Sequence, residues 1–185
     1  MAKPTAAKQT YVPPLLDLFR QYGYDGVSLS KISQATGLGK ASLYHHFPGG
    51  KDDMVTTVLD TLDQWLQATA LDALESEGDA LARLTRMGDR ICEAYSHGQK
   101  PCILASLMLG SAKADFQPQV QGMLQRWLGA IAAVLTQAGM AESLAQERSE
   151  EALIAIQGAL IMARAMNDAA IFKRTMQRLP QQLCR

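Results

Sequence analysis

Between Gly39 and Pro48 the chain sets Lys40, Ala41, Ser42, Tyr44, His45 and His46 around two large apolar residues, Leu43 and Phe47, that stand four apart. On a helix, residues four apart share a face. Leu43 and Phe47 are therefore expected to pack inward, leaving Lys40, Ala41, Ser42, Tyr44 and His45 on the remaining circumference. An ammonium and hydroxyls on one side of a short helix are groups that hydrogen-bond phosphates and base edges, and an alanine methyl suits a thymine methyl. Nothing comparable points to catalysis. No Gly-rich phosphate loop follows a strand, neither HExxH nor GxSxG occurs, and His45, His46 and His97 offer no nucleophile and base pair. The neighbours His45 and His46 point about 100° apart on a helix, and no third ligand stands at metal-binding spacing. The expectation is no enzyme, no metal and no cofactor.

The elements that position this surface are legible on either side of it. Ser28 is placed to cap a helix N-terminus, and Leu29, Ile32 and Ala35 follow at helical spacing as its inner face. Gly37 then supplies a residue that tolerates positive φ and ends that helix, so a second one starts near Gly39 or Lys40 and stops at Pro48-Gly49-Gly50. Two helices joined by a tight turn, the second short and polar on one side, make a helix-turn-helix that fits a major groove. A preceding helix carries Leu15, Leu16, Leu18 and Phe19 to cover the pair. Its start is left open by Pro13-Pro14: either it begins near Tyr11, or it begins at about Thr5 and bends.

The run GYDGVSLSKISQATGLGKASLYHHFPGGKDDM resembles the DNA-binding domain of the TetR family of bacterial repressors, down to the Tyr-x-His-Phe ending and the Lys that follows. The segments KPCILASLMLG and IQGALIMARAMNDAAIF look like the ligand-binding half of the branch related to LmrA and YxaF. The resemblance implies a homodimer on a palindromic, double-stranded operator. Lys40, Ala41, Ser42, Tyr44 and His45 would face DNA, while Ser28, Lys31, Tyr44, His46 and Lys51 would touch phosphates. It also implies a small-molecule effector whose binding changes the separation of the heads and releases the DNA. Duller readings stand beside these. Tyr44 also fits a partly buried core aromatic, Lys31 and Lys51 fit solvated charges, and the protein also fits an activator or a DNA-binding protein with no effector.

With 185 residues and 48% hydrophobic residues the chain is long and apolar enough to bury a core in one or two units. Its formal net charge is zero, which argues against a nucleic-acid partner until the charge is divided. Up to Lys51 there are six basic residues against Asp17 and Asp25, a balance of +4, and the remainder carries −4. That asymmetry suits a protein of which only one domain meets phosphates. Cys92, Cys102 and Cys184 are odd in number, lack CxxC spacing and suit a reducing cytoplasm. Met1 to Pro4 leads into no apolar h-region, and Ala152 to Ala163 is too short to span a bilayer, so no membrane association is expected.

The fold class expected is all-α: a three-helix helix-turn-helix domain at 1–51, then a helical effector-binding and dimerisation domain at 52–185. A long helix opens at Lys51 and breaks at Glu77-Gly78-Asp79. Further helices run to Gly98, from Lys100-Pro101, from Asp115 to Gly139, and from about Gln146 to Phe172. Gly129, Ala130, Ala133, Ala155, Gly158 and Ala159 on the last two either serve a four-helix dimer interface or allow tight packing within one subunit. Trp65, Met87, Tyr95, Met108, Trp127 and Met162 supply adaptable apolar surface for an apolar or aromatic effector, with Arg90 and Gln157 to orient a polar group. The same residues suit a plain core.

Overall fold

The computed structural model describes residues 6–185, so the alternative start at Thr5 and the stretch from Met1 to Pro4 lie outside the described residues. Among the described residues every regular element is helical, and no helix is long and apolar enough to cross a membrane. The α-helices are α1 (Ala6–Gln9), α2 (Val12–Tyr22), α3 (Leu29–Thr36), α4 (Lys40–His46), α5 (Gly50–Leu66), α6 (Asp72–Glu75), α7 (Ala80–Ala94), α8 (Ile103–Met108), α9 (Lys113–Gln137), α10 (Glu142–Ala165) and α11 (Ala169–Leu183). They form two compact units, Met1–Gln64 with Ile103–Val120, and Trp65–Cys102 with Gln121–Arg185. The boundary expected between Lys51 and Asp52 falls in the first turn of α5.

In the first unit, the question at Pro13-Pro14 resolves into a single turn, α1, followed by a fresh start at α2. Pro13 and Pro14 occupy the first turn of α2, where a missing N–H leaves no intrahelical bond unmade. Ser28 caps α3 by accepting from the Lys31 amide at 3.3 Å, and Gly37 ends it at φ 72°, in the left-handed region. Leu15, Phe19, Val27, Ile32, Leu43 and Phe47, each at most 1% exposed, are the core around which α2, α3 and α4 close. Ala35, expected on the inner face of α3, is exposed, because only Ile32 sits at the centre of that short contact.

The segment Ile103–Val120 belongs to this same unit. Ile103 and Leu107 are buried, and α8 packs on α2. The Ser106 hydroxyl donates to the Arg20 carbonyl at 3.2 Å. The Ser111 amide donates to Asp25 Oδ2 at 2.8 Å and the Ser111 hydroxyl to Asp25 Oδ1. The Tyr24 and Phe116 rings lie 5.8 Å apart, and Gln119 donates to Asp60 at 2.8 Å. Gly110 keeps the turn close: a Cβ there would stand 3.0 Å from Asp25 Oδ2.

The second unit begins as α5 runs through a π turn at Gln67–Leu71 into α6. Asp79 caps α7 by accepting from the Ala82 amide at 2.8 Å, which explains the break read at Glu77-Gly78-Asp79. The helix expected from Gln146 to Phe172 is two helices. Asn167 takes φ 49° and Asp168 accepts from the Ala170 amide at 2.9 Å, so α10 ends and α11 begins. Phe172, Met176, Leu179 and Leu183 then bury one face of α11, which packs on α10 and α7. On α9 and α10, Gly129 and Gly158 face open space rather than a neighbouring backbone, so they do not serve packing within the subunit.

The Ser111 hydrogen bonds hold the Asp25 carboxyl below its ordinary value of 3.8. A depressed carboxylate stabilises the fold above its unfolded value and loses that contribution as pH falls through the folded one. Asp25→Asn is therefore expected to lower the melting temperature at pH 7 and to flatten its decline between about pH 5 and pH 3. A calorimetric scan at both pH values that matches the parent chain would count against the clasp.

Candidate functional site

α4 is short because Gly39 precedes it and Pro48-Gly49 follows, and its rotation is fixed by Leu43 and Phe47, which are 1% and 0% exposed. Lys40, Ala41, Ser42 and His45 are exposed, and Tyr44 is 42% exposed with its ring edge against Gly50. His46 is half-buried, its ring 5.1 Å from that of Tyr11 and 5.4 Å from that of His45. The arrangement presents one fixed cation, one hydroxyl, one phenol, one methyl and an imidazole on a single outward arc. Such groups hydrogen-bond phosphates and base edges without any bond being made or broken.

The other cationic candidates carry structural duties. Lys31 Nζ donates to the Gly26 carbonyl at 2.8 Å and lies 3.9 Å from the centre of the Tyr22 ring. Lys51 Nζ donates to the carbonyls of Tyr24 and Val27 at 3.0 and 3.2 Å and lies 4.0 Å from the Tyr24 ring centre. Ser28 uses its hydroxyl as the α3 cap. The Tyr24 phenol donates to Asp52, and that bond, with burial next, pushes its pKa up to about 12. A hollow of about 700 Å³ between α3 and α4 is lined by Ser30, Ser33, Gln34 and Lys40 among others. Ser30 and Gln34 stand four apart on the α3 side of that hollow.

The residues expected to hold an effector fall into separate groups. Trp127 donates its indole N–H to Met87 Sδ at 3.3 Å, both side chains buried. The Tyr95 hydroxyl and the Gln157 amide both donate to Cys102 Sγ at 3.4 Å, and the Tyr95 ring meets Phe172 edge-on at 6.1 Å. Trp65 is half-buried, and Met108 is half-buried in the other unit. Arg90 is exposed, with Nη1 donating to the Ala68 carbonyl at 3.0 Å in the π turn, and Met162 is 49% exposed on α10. Cys92 approaches His97 Nδ1 at 3.4 Å, while burial raises the thiol above its ordinary value.

Comparison with known proteins places these elements in context. Residues 16–58 match the model of bacterial regulatory proteins of the tetR family, and residues 78–178 match the C-terminal domain of LmrA/YxaF-like transcriptional regulators. The HTH-type transcriptional regulator LmrA of Bacillus subtilis is 23% identical over 150 residues, covering 79% of this chain and 80% of that one. Transcriptional regulator AcuR of Cereibacter sphaeroides is 27% identical over 170 residues, covering 85% and 76%. A transcriptional regulator of the TetR family from Agrobacterium tumefaciens shares the fold with a TM-score of 0.81 at 22% identity, covering 97% of this chain and 98% of that one.

The geometry separates two lysines that look alike in the sequence. Lys51→Ala removes two hydrogen bonds to turn carbonyls and is expected to destabilise the fold by about 1–2 kcal/mol, lowering the melting temperature by roughly 2–8 °C. Lys40→Ala, at an exposed position, is expected to leave thermal unfolding unchanged. Equal melting temperatures for the two variants would contradict the assignment of Lys51 to the turn.

Proposed function

The chain belongs to the TetR family of bacterial regulatory proteins, in its LmrA/YxaF-like branch, and on that premise we propose that this transcriptional regulator is a repressor released from its operator by a small effector. The observation that carries the DNA reading is the anchored recognition helix, with Leu43 and Phe47 inward and Lys40, Ala41, Ser42, Tyr44 and His45 outward. Residues 1–51 carry the DNA-binding helices within the first unit, and the effector and dimerisation roles lie within 52–185. Lys40 and Ser42 hydrogen-bond base edges or phosphates, and Ala41 meets a thymine methyl. Ser28, Lys31, Tyr44, His46 and Lys51 lie along the phosphates and fix register.

Dimerisation is supported by an apolar stripe that a monomer rarely leaves open. Ile154 and Ile161 on α10 are 70% and 62% exposed, Gly158 lies between them, and Gly129 and Ala133 are exposed on α9. Paired through that stripe, two heads reach successive major grooves about 34 Å apart, so the operator is an inverted repeat. The effector is apolar or aromatic, held in the second unit among Met87, Tyr95, Trp127 and Gln157, with Trp65, Arg90 and Met162 as further contributors.

Two experiments test this reading. In a gel shift with the intergenic DNA upstream of the gene, the full-length protein is expected to retain one fragment carrying an inverted repeat. Lys40→Ala or Tyr44→Ala should weaken retention about tenfold or more with helix content unchanged. Retention that is unaffected by both substitutions would refute the placement of α4. Ile161→Glu is expected to convert a dimer into a monomer in sedimentation equilibrium, and a monomeric parent chain would refute the bundle.

A further inference from the structure

The apolar stripe on α10 ends in opposite charges. Ahead of Ile154 stand Glu147, Glu150 and Glu151, all exposed, and beyond Ile161 stands Arg164, exposed in the last turn. Glu151 is engaged within the helix by Arg148 at 2.7 Å, while Glu150 accepts from the Gln146 amide at 3.2 Å. Among the described residues no cation pairs with Glu150 and no carboxylate with Arg164. The helix dipole favours acids in the first turn only, and Glu150 lies about two turns beyond Glu142, so the dipole does not account for it. At 100° per residue, Glu150 and Arg164 lie about 40° and 80° to the same side of the line through Ile154 and Ile161, with Glu151 about 60° to the other. One flank of the stripe therefore carries a carboxylate at one end and a guanidinium at the other.

We propose that Glu150 and the partner's Arg164 form an ion pair, made twice across the two-fold of the α10 interface, that sets the direction of pairing and selects a second copy of this chain. The isoleucines do not choose a direction. Parallel pairing would stack Ile154 on its own copy and Ile161 on its own copy, burying as much apolar surface as the antiparallel arrangement. The charges do choose, because parallel pairing sets carboxylate on carboxylate and guanidinium on guanidinium, and like charges placed together across an interface are costly. A two-fold passing between Gln157 and Gly158 reverses one helix and brings like flanks together, so Ile154 meets the partner's Ile161 and Glu150 comes within one residue of the level of the partner's Arg164. Gly158 stands beside that axis, with open space where a Cβ would be, so the backbones can approach there. The planar guanidinium matches a carboxylate with two parallel hydrogen bonds, which adds direction to the attraction. Both halves of the pair lie on every copy, so the patch complements itself, and a chain lacking either charge leaves the other unpaired.

This inference rests on dimerisation through α10, and the experiment separates the two. Sedimentation equilibrium at low salt is run on the full-length parent, on Glu150→Arg, on Arg164→Glu and on an equimolar mixture of the two variants, with circular dichroism to confirm equal helix content. Each reversal alone is expected to weaken the dimer about tenfold or more, since it sets like charges together at both pairs. The mixture should return to parental affinity, because each chain of the mixed dimer meets an opposite charge at both ends. Glu93→Arg, exposed on α7, changes the net charge as Glu150→Arg does and should leave the dimer as it is. Should a reversal lower helix content, Glu150→Gln and Arg164→Gln read the same loss at about threefold. A monomeric parent chain would overturn the dimer reading and this inference with it. Single variants that dimerise like the parent, or a mixture no tighter than its components, would overturn the ion pair while leaving a dimer through α10 standing.

Discussion

A helix of seven residues does not hold together in water by itself, so α4 exists only because Leu43 and Phe47 are sunk into the core made by Leu15, Phe19, Val27 and Ile32. Full burial of a Leu or Phe is worth about 1.5–3 kcal/mol each, against nucleation that is unfavourable without it. The same two contacts that make the helix also set its rotation. Which side chains face outward is therefore decided from the inside, and every polar residue on α4 inherits its direction from two apolar ones.

The electrostatics of the head follow from that arrangement and from the turn beneath it. A balance of +4 read along the chain describes the domain but not its surface, because three of its lysines each have a defined partner nearby. Lys51 ties Tyr24 and Val27 to the first turn of α5, Lys31 closes the turn at Gly26, and Lys8 reaches Asp53. These contacts stiffen the base on which α3 and α4 sit. They also leave the chemical character of the exposed arc to a small number of groups.

Much of this was legible in the sequence where a single residue type has a single physical use. Ser28 as a cap, Gly37 as a left-handed stop, Leu43 and Phe47 as anchors, and the break at Glu77-Gly78-Asp79 before α7 all follow from local chemistry, and the all-α fold follows from the helical repeat of apolar residues. What stayed hidden needed either a weaker signal or distance along the chain. Asn167 and Asp168 are residues that suit a break and a cap, yet Ile171 and Phe172 continue the apolar spacing, so the helix read as unbroken. The partners of Lys31 and Lys51 are backbone carbonyls, which no side-chain pattern reports. The partner of Arg90 is a carbonyl of the π turn, an element the sequence does not announce. The membership of Ile103–Val120 in the first unit rests on contacts between residues 86 apart, such as Asp25 with Ser111.

That last feature bears on how such a molecule can be taken apart. A unit assembled from two stretches of chain has no single cut that frees it: severing the polypeptide after Gln64 would strip away the serines that occupy the Arg20 carbonyl and the Asp25 carboxylate. Grafting this head onto another body, or another head onto this body, would therefore require transplanting the middle stretch together with the N-terminal one. Modularity at the level of genes and modularity at the level of atoms draw their borders in different places here.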